Sequence, residues 1–184
     1  MNPEELLAKY FTAEALPLFL THSRLVAGKA VRTAENHPDR ENLDLTFVRE
    51  AAMLHDIGVA LTAAPGLMCY GNAPYILHGI IGREILEREG LPHHALVCER
   101  HIGVGLTVAD IKGQNLPLPL RDMVPVTTEE KIVAYADLFF SKKPDILTVE
   151  KPVEQVRREL ARFGERKLAI LDEWMAEFTG KKLI

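Results

Sequence analysis

Six side chains in this sequence carry donor atoms suited to a transition-metal site: His22, His55, Asp56, His78, His101 and Asp137. Imidazole nitrogens mixed with two carboxylates suit Fe, Mn, Co, Ni or Zn, whereas Mg and Ca take mostly oxygen. A neighbouring pair such as His55-Asp56 in "AAMLHDIGVA" is weak evidence alone. Its weight comes from the apolar setting that the other donors share. His22 has Leu18 and Val26 four residues to either side, with Phe19 and Leu25 at three, and so lies on a buried stripe. His55 follows Ala51 and Ala52 by one turn, His78 precedes Ile81 and Gly82, and His101 follows Val97 and Cys98. Asp137 lies between Val133-Ala134 and Phe140. Five separate segments thus aim a His or Asp at the interior.

One buried histidine is usually an ordinary hydrogen-bonded core residue. A buried ionised carboxylate without a partner is far more costly. Burying four such histidines and two aspartates separately would cost several kcal/mol of desolvation, against a total stability of about 5–15 kcal/mol. Gathering them around cations satisfies imidazole and carboxylate together. His37, in a polar turn, and His93-His94, opening a short helix, lack this setting and read as structural or surface residues.

The elements that must position these groups are helical almost throughout. Pro3 favours a short first helix, and Thr12 can cap a second, from about Ala13 to Glu35, with Pro17 in its first turn. Asp44 can cap a third that stops near Gly58. Residues 59 to 74 read as loop, Pro74 opens a helix reaching about Glu89, and Gly90-Leu91-Pro92 stops it before a short helix at about 93–101. The stretch 102–126 has three glycines and three prolines, and reads as a long ordered loop. Thr127 and Glu130 form a capping box for "KIVAYADLFF", "SKKPD" breaks that helix, and two charged amphipathic helices fill about 148–179. No segment reads as a strand. The expected class is all-α.

Composition narrows the function. At 184 residues the chain is long enough for one domain with a substantial core. A net charge of −4 offers no electrostatic case for nucleic acid or for an anionic membrane surface. Cys69 and Cys98 form no CxxC pair, no leader pattern opens the chain, and no apolar run approaches a membrane span. These features predict a soluble, cytoplasmic protein.

In order, the pieces "THSRLVAGKA", "AAMLHDIG", "ILHGIIGREIL", "ERHIGVG" and "KIVAYADLFF" resemble the HD-domain superfamily of metal-dependent phosphohydrolases, over about residues 18–143. The chain is similar to small stand-alone HDIG-type members. It is also similar to HD-type symmetrical dinucleoside tetraphosphatases, which share a "YADLFF"-like segment and the two intermediate histidines. It lacks the GYP signature of cyclic-di-GMP phosphodiesterases and the length of the deoxynucleoside-triphosphate triphosphohydrolases. The resemblance implies an HD-domain-like helical bundle, a single domain over 1–184. It implies one metal held by His22, His55, Asp56 and Asp137, and a second by His78 and His101, with Asp56 as bridge and Asp56 and His55 at the catalytic centre. The implied reaction is hydrolysis of a phosphate ester or anhydride in a small-molecule substrate, a nucleotide in the first place, by attack of a metal-held hydroxide. Lys142 and Lys143 are the best-placed cations for the phosphate, with Arg24 a weaker candidate. The same ligand set occurs in mixed-valent diiron oxygenases of the HD fold, and a third reading is a non-catalytic nucleotide-binding module. The 102–126 stretch either covers the site or simply connects. The terminal helices pack on the bundle or on a second copy of the chain, so a homo-oligomer stays open.

Overall fold

Asn2 opens the first helix by accepting a hydrogen bond from the Glu4 N–H at 3.1 Å. In this computed structural model, residues 1–180 are described, so the last four residues of the domain expected over 1–184 lie outside the description. Helix α1 covers Pro3–Tyr10 and α2 Leu16–Glu35. α2 starts three residues later than expected because Thr12 first closes a turn, its hydroxyl accepting from Ala15 N–H and its carbonyl from Leu16 N–H. Pro17 does sit in the first turn. Asp44 caps α3 (Leu45–Leu54) through a 2.9 Å bond from Phe47 N–H.

α3 ends four residues before Gly58, which corrects the expected stop. The backbone leaves helical geometry at Asp56 (φ −104°, ψ 7°), and a 3-10 turn over Ile57–Leu61 carries straight through the glycine. Gly58 serves a close approach instead. A Cβ there would lie 2.0 Å from the His78 carbonyl oxygen and 2.4 Å from Gly82 N, so the turn after Asp56 presses directly on α4 (His78–Arg88). α4 is preceded by a 3-10 turn, Tyr75–Leu77, where Pro74 was expected to begin the helix itself. Its partner is α5 (Pro92–Arg100), and Gly82 admits Cys98 of that helix, whose Sγ would be 3.2 Å from an added Cβ.

Two further differences concern segments read as loop. Residues 63–70 contain a two-residue antiparallel pair, β1 (Ala63–Ala64) with β2 (Cys69–Tyr70). The 102–126 stretch holds a helix, α6 (Val108–Gly113), with a reciprocal capping box between Thr107 and Asp110. It also has a small apolar cluster of its own, Leu106, Ile111, Leu118 and Met123, closed by mutual backbone bonds between Leu106 and Met123. The box expected at α7 (Thr128–Asp137) is one-sided: Thr127 Oγ1 accepts from Glu130 N–H, but the Glu130 carboxylate takes Val126 N–H and Arg100 instead.

α2 packs along both α3 and α7, and these three with α4 and α5 enclose the core. Phe19, Val26, Leu54, Ile57, Ile85, Leu86 and Ile132 are fully buried there; each such side chain contributes about 1.5–3 kcal/mol. α8 (Val153–Ala161) and α9 (Glu165–Thr179) add Val156, Leu160, Leu171, Trp174 and Phe178 to the same core. Their apolar faces are therefore covered by their own bundle. The architecture is all-α, a helical bundle. Among the described residues no helix is long and apolar enough to cross a membrane.

Candidate metal centre

All six expected donors converge. Donor atoms of His22, His55, Asp56 and Asp137 lie within 4.8 Å of one another, and so do those of Asp56, His78 and His101. The two groups share only Asp56, and its two oxygens divide between them. Oδ2 is 3.3 Å from His22 Nε2 and 3.1 Å from His55 Nε2, while Oδ1 is 3.6 Å from Nε2 of both His78 and His101. Asp137 Oδ1 completes the first group at 3.0 Å from His22 Nε2 and 3.3 Å from His55 Nε2.

Helix ends supply most of these groups. His55 and His101 cap α3 and α5, His78 opens α4, and Asp137 ends α7; only His22 lies mid-helix. The last carbonyls of a helix lack intrahelical partners, and two of them are put to use here. His55 Nδ1 lies 2.7 Å from Ala52 O and His101 Nδ1 lies 2.8 Å from Cys98 O. His78 Nδ1 makes the same i−3 contact with Tyr75 O at 2.8 Å. A carbonyl only accepts, so Nδ1 of each ring must carry the proton and Nε2 of each neutral ring is a bare lone pair facing the cluster. Backbone orientation of this kind is how metal-binding histidines are held.

That tautomer suits a bound cation. His78 Nε2 and His101 Nε2 are 3.2 Å apart, two lone pairs with no hydrogen between them. Neither Asp56 oxygen makes a hydrogen bond, although the residue is 1% exposed, and His55 Nε2 and His22 Nδ1 are also unpartnered. The donor set therefore fits divalent transition metals: nitrogen-rich, with two carboxylates and unsatisfied buried lone pairs pointing at common centres.

The electrostatics of the cluster follow from the same proximity. Burial opposes charge on His55, but Asp56 and Asp137 outweigh it and push the ring up to about 10. Burial and then His101 push His78 down to about 4. Both carboxyls are held well below the usual range in spite of burial, Asp56 chiefly by His55 and Lys142, and Asp137 chiefly by Lys142 and His55. Burial raises the Tyr75 phenol to about 12, and its ring lies tilted against His78 with centroids 4.8 Å apart.

The three expected phosphate-binding cations separate. Lys142 reaches the cluster, its Nζ 2.7 Å from Asp56 Oδ2 and 3.8 Å from Asp137 Oδ1, an ion pair whose angles do not make a hydrogen bond. Lys143 is exposed. Arg24 is not brought to the site: Glu4 binds its guanidinium through two bonds of 2.7 and 2.8 Å on the outer face of α2. Of the other histidines, His94 pairs with Glu50 at 3.3 Å, and His37 Nδ1 accepts from Asp39 N–H. The carbonyls of Ala52, Tyr75 and Cys98 had no signal in the sequence beyond standing three residues before a histidine, because any residue type provides a carbonyl.

A helical bundle with this ordered His/Asp cluster is the arrangement of the HD domain, and the sequence matches the HD domain family over residues 19–140. The chain belongs to that family. It is 40% identical over 116 residues to an uncharacterized protein of Methanocaldococcus jannaschii, covering 61% of each chain. It is 30% identical over 180 residues to a tRNA (cytidine(56)-2'-O)-methyltransferase of Thermoplasma volcanium, covering 97% of this chain and 47% of that one. A protein of the same name from Picrophilus torridus is 31% identical over 90% of this chain and 44% of its own length. The chain thus spans about half to three-fifths of the length of the curated relatives it matches. Among solved structures it resembles the HD domain of the L. monocytogenes phosphodiesterase PgpH, with a TM-score of 0.53 at 18% identity and 97% coverage of both chains. The same domain in complex with cyclic-di-AMP gives 0.54 at 17% identity, covering 99% of this chain and 98% of that one. At such identities the likeness is one of fold.

Proposed function

We propose that this protein is a metal-dependent phosphohydrolase acting on a phosphorylated small molecule, a nucleotide in the first place, in the reducing cytoplasm where Cys69 and Cys98 stay thiols. One observation carries the reading: the buried Asp56 carboxylate turns one unbonded oxygen to each of two separate groups of imidazole nitrogens. His22, His55, Asp56 and Asp137 would hold one divalent ion; His78, His101 and Asp56 would hold a second. Such ions supply Lewis-acid charge to phosphoryl oxygens and lower the pKa of a nearby water.

The chain's own residues do the rest. The i−3 carbonyls fix the three rings so that Nε2 is always presented. The close approach at Gly58 fixes the Asp56 turn against α4 and so sets the spacing of the two groups. Lys142, already beside Asp56 and Asp137, contributes positive charge that can hold non-reacting phosphoryl oxygens. A nucleotide is supported by the fold shared with a phosphodiesterase domain, one structure of which contains cyclic-di-AMP.

The test is metal analysis combined with phosphate release from a panel of nucleotides and phosphomonoesters. The expected result is about two transition-metal ions per chain with release from at least one nucleotide, falling to about one ion in His101→Ala. Iron in both positions with oxygen consumption and no phosphate release would replace the hydrolase with an HD-fold oxygenase.

A further inference from the structure

A groove runs between α2, α7 and α9, and none of the six cluster donors lines it. Tyr135 lines it two residues before Asp137, a step of about 200° around α7. The helix therefore shows the cluster on one side and this groove on the other. The groove holds about 380 Å³, near the lower end of the roughly 300–1,000 Å³ typical of small-molecule sites.

One wall is apolar: Tyr135, Met175 and Phe178, with the Tyr135 and Phe178 rings edge-on and their centroids 5.2 Å apart. The charged lining residues are Lys29, Arg32 and Glu150, so two cations face one carboxylate and one positive charge is left over. Lys29 takes Glu150, its Nζ 2.7 Å from Oε1 and 3.8 Å from the Phe139 ring centroid. Arg32 Nη2 stays 3.9 Å from Glu150 Oε2, beyond hydrogen-bond distance, with 62% of its side chain exposed. Thr33 and Asn36 turn their donors back on α2, to Lys29 O at 2.9 Å and Arg32 O at 2.7 Å. Among the described lining residues, the charged donor left uncommitted is thus the Arg32 guanidinium.

From these features we infer that the groove is a second small-molecule site, for an organic carboxylate with an apolar body, whose occupant competes with Glu150 for Arg32 and Lys29. Such a site stands whether or not the cluster hydrolyses phosphate. The planar fork of a guanidinium matches a carboxylate. One surplus positive charge suits a monoanion better than a phosphate dianion. A cationic ligand would find the Tyr135 and Phe139 rings already taken by Lys29. Glu150 also links the groove to the cluster. The loop carrying Lys142 leaves α7 and returns at Lys151, whose N–H donates to Phe139 O at 2.8 Å. The Glu150–Lys29 pair ties the same end to α2. An occupant that displaces Glu150 therefore loosens the loop that brings Lys142 to Asp56.

Equilibrium binding of 2-naphthoate to the metal-loaded, full-length protein tests the assignment, with acetate, 2-naphthamide and inorganic phosphate as comparisons. 2-Naphthoate should bind at least about tenfold more tightly than acetate, which lacks the body, and than 2-naphthamide, which lacks the charge. Arg32→Ala, where the side chain is mostly exposed, should weaken it at least about tenfold. Glu150→Gln, which removes the competing charge, should tighten it at least about threefold. Saturating 2-naphthoate should also speed amide hydrogen exchange across residues 141–151 of the wild type at least about threefold. Equal binding of 2-naphthoate and either comparison, or binding that survives Arg32→Ala and so lies elsewhere, overturns the site. No gain in Glu150→Gln overturns the competition, and unchanged exchange with ligand bound overturns the link to Lys142. Inorganic phosphate that binds as tightly and displaces 2-naphthoate overturns the organic carboxylate in favour of a simple anion pocket.

Discussion

Two regions of this molecule bury carboxylates, and they treat them in opposite ways. Around Glu99 every acceptor is filled: Arg83 Nη1 donates at 2.6 Å, Arg121 Nε at 2.9 Å, and a second Arg121 nitrogen reaches the same oxygen. Glu130 is equally complete, with Arg100 and the Val126 N–H. Around Asp56, just as deeply buried, neither oxygen makes a hydrogen bond; Lys142 Nζ stands 2.7 Å from Oδ2, and Nε2 of four imidazoles faces the carboxylate. The first region satisfies its charges from within the chain, as a structure built for stability must. The second pairs its carboxylate with the Lys142 charge but leaves both oxygens without a hydrogen bond, and so open to a ligand from outside. Unsatisfied buried polar groups are thus the clearest physical mark of the site.

The comparison breaks most sharply at Asp56. Asp56→Ala should abolish uptake of the second ion and weaken the first, lowering phosphate release by at least about 10³-fold, while circular dichroism still reports a folded helical protein. Retained metal stoichiometry and activity would sink the shared-carboxylate arrangement. Next in size is Gly58→Ala, whose Cβ would overlap the α4 backbone at His78 and Gly82. Backbone cannot yield as a flexible side chain can, so denaturant unfolding should show a loss of about 3 kcal/mol, and metal affinity should fall with it.

Glu99→Ala should do the reverse of Asp56→Ala. It strands Arg83 and Arg121, whose partial exposure lets water share the cost, so a loss of about 2 kcal/mol is expected with metal content unchanged. The smallest effect is at Asp110. Burial works to raise its carboxyl, but Lys167 and the Thr107 N–H and hydroxyl outweigh it and hold the group below its ordinary value. A depressed folded value stabilises in full above the unfolded carboxyl value of about 4 and is lost as pH falls through the folded one. The stability gap between the wild type and Asp110→Asn, followed by denaturant unfolding from pH 6 to pH 2, should therefore close below about pH 4. A gap that widens on acidification would contradict the ion pair with Lys167.

Much of this was legible in the residues. The six donors could be picked out because each is polar on an otherwise apolar helical face, a local pattern that periodicity detects. Helix existence was equally readable, through Asp44, Pro17 and the Gly90-Leu91-Pro92 stop. Ends and partners were not. Gly58 reads as a helix stop because glycine commonly ends helices, yet its role is contact with α4, 20 residues further along the chain. Asp110 escaped notice because the capping-box pattern asks for Glu or Gln, and an Asp closes the same ring. Arg24 looked available because nothing local announces Glu4, which meets it only when α1 folds back on α2.

The sequence by itself determined the donor set, the helical class and the family, because residue type and spacing carry all three. Tertiary structure alone decided that Asp56 divides its oxygens between two histidine groups and that Lys142, not Lys143, stands beside it. Both lysines follow the end of α7, where no helical period says which way a side chain points. It also decided that the loop and the terminal helices enclose a chamber against Asp137. The physical reason is common to all three. A hydrogen bond, an ion pair or a cavity depends on where distant segments meet, and that is set by packing the whole core.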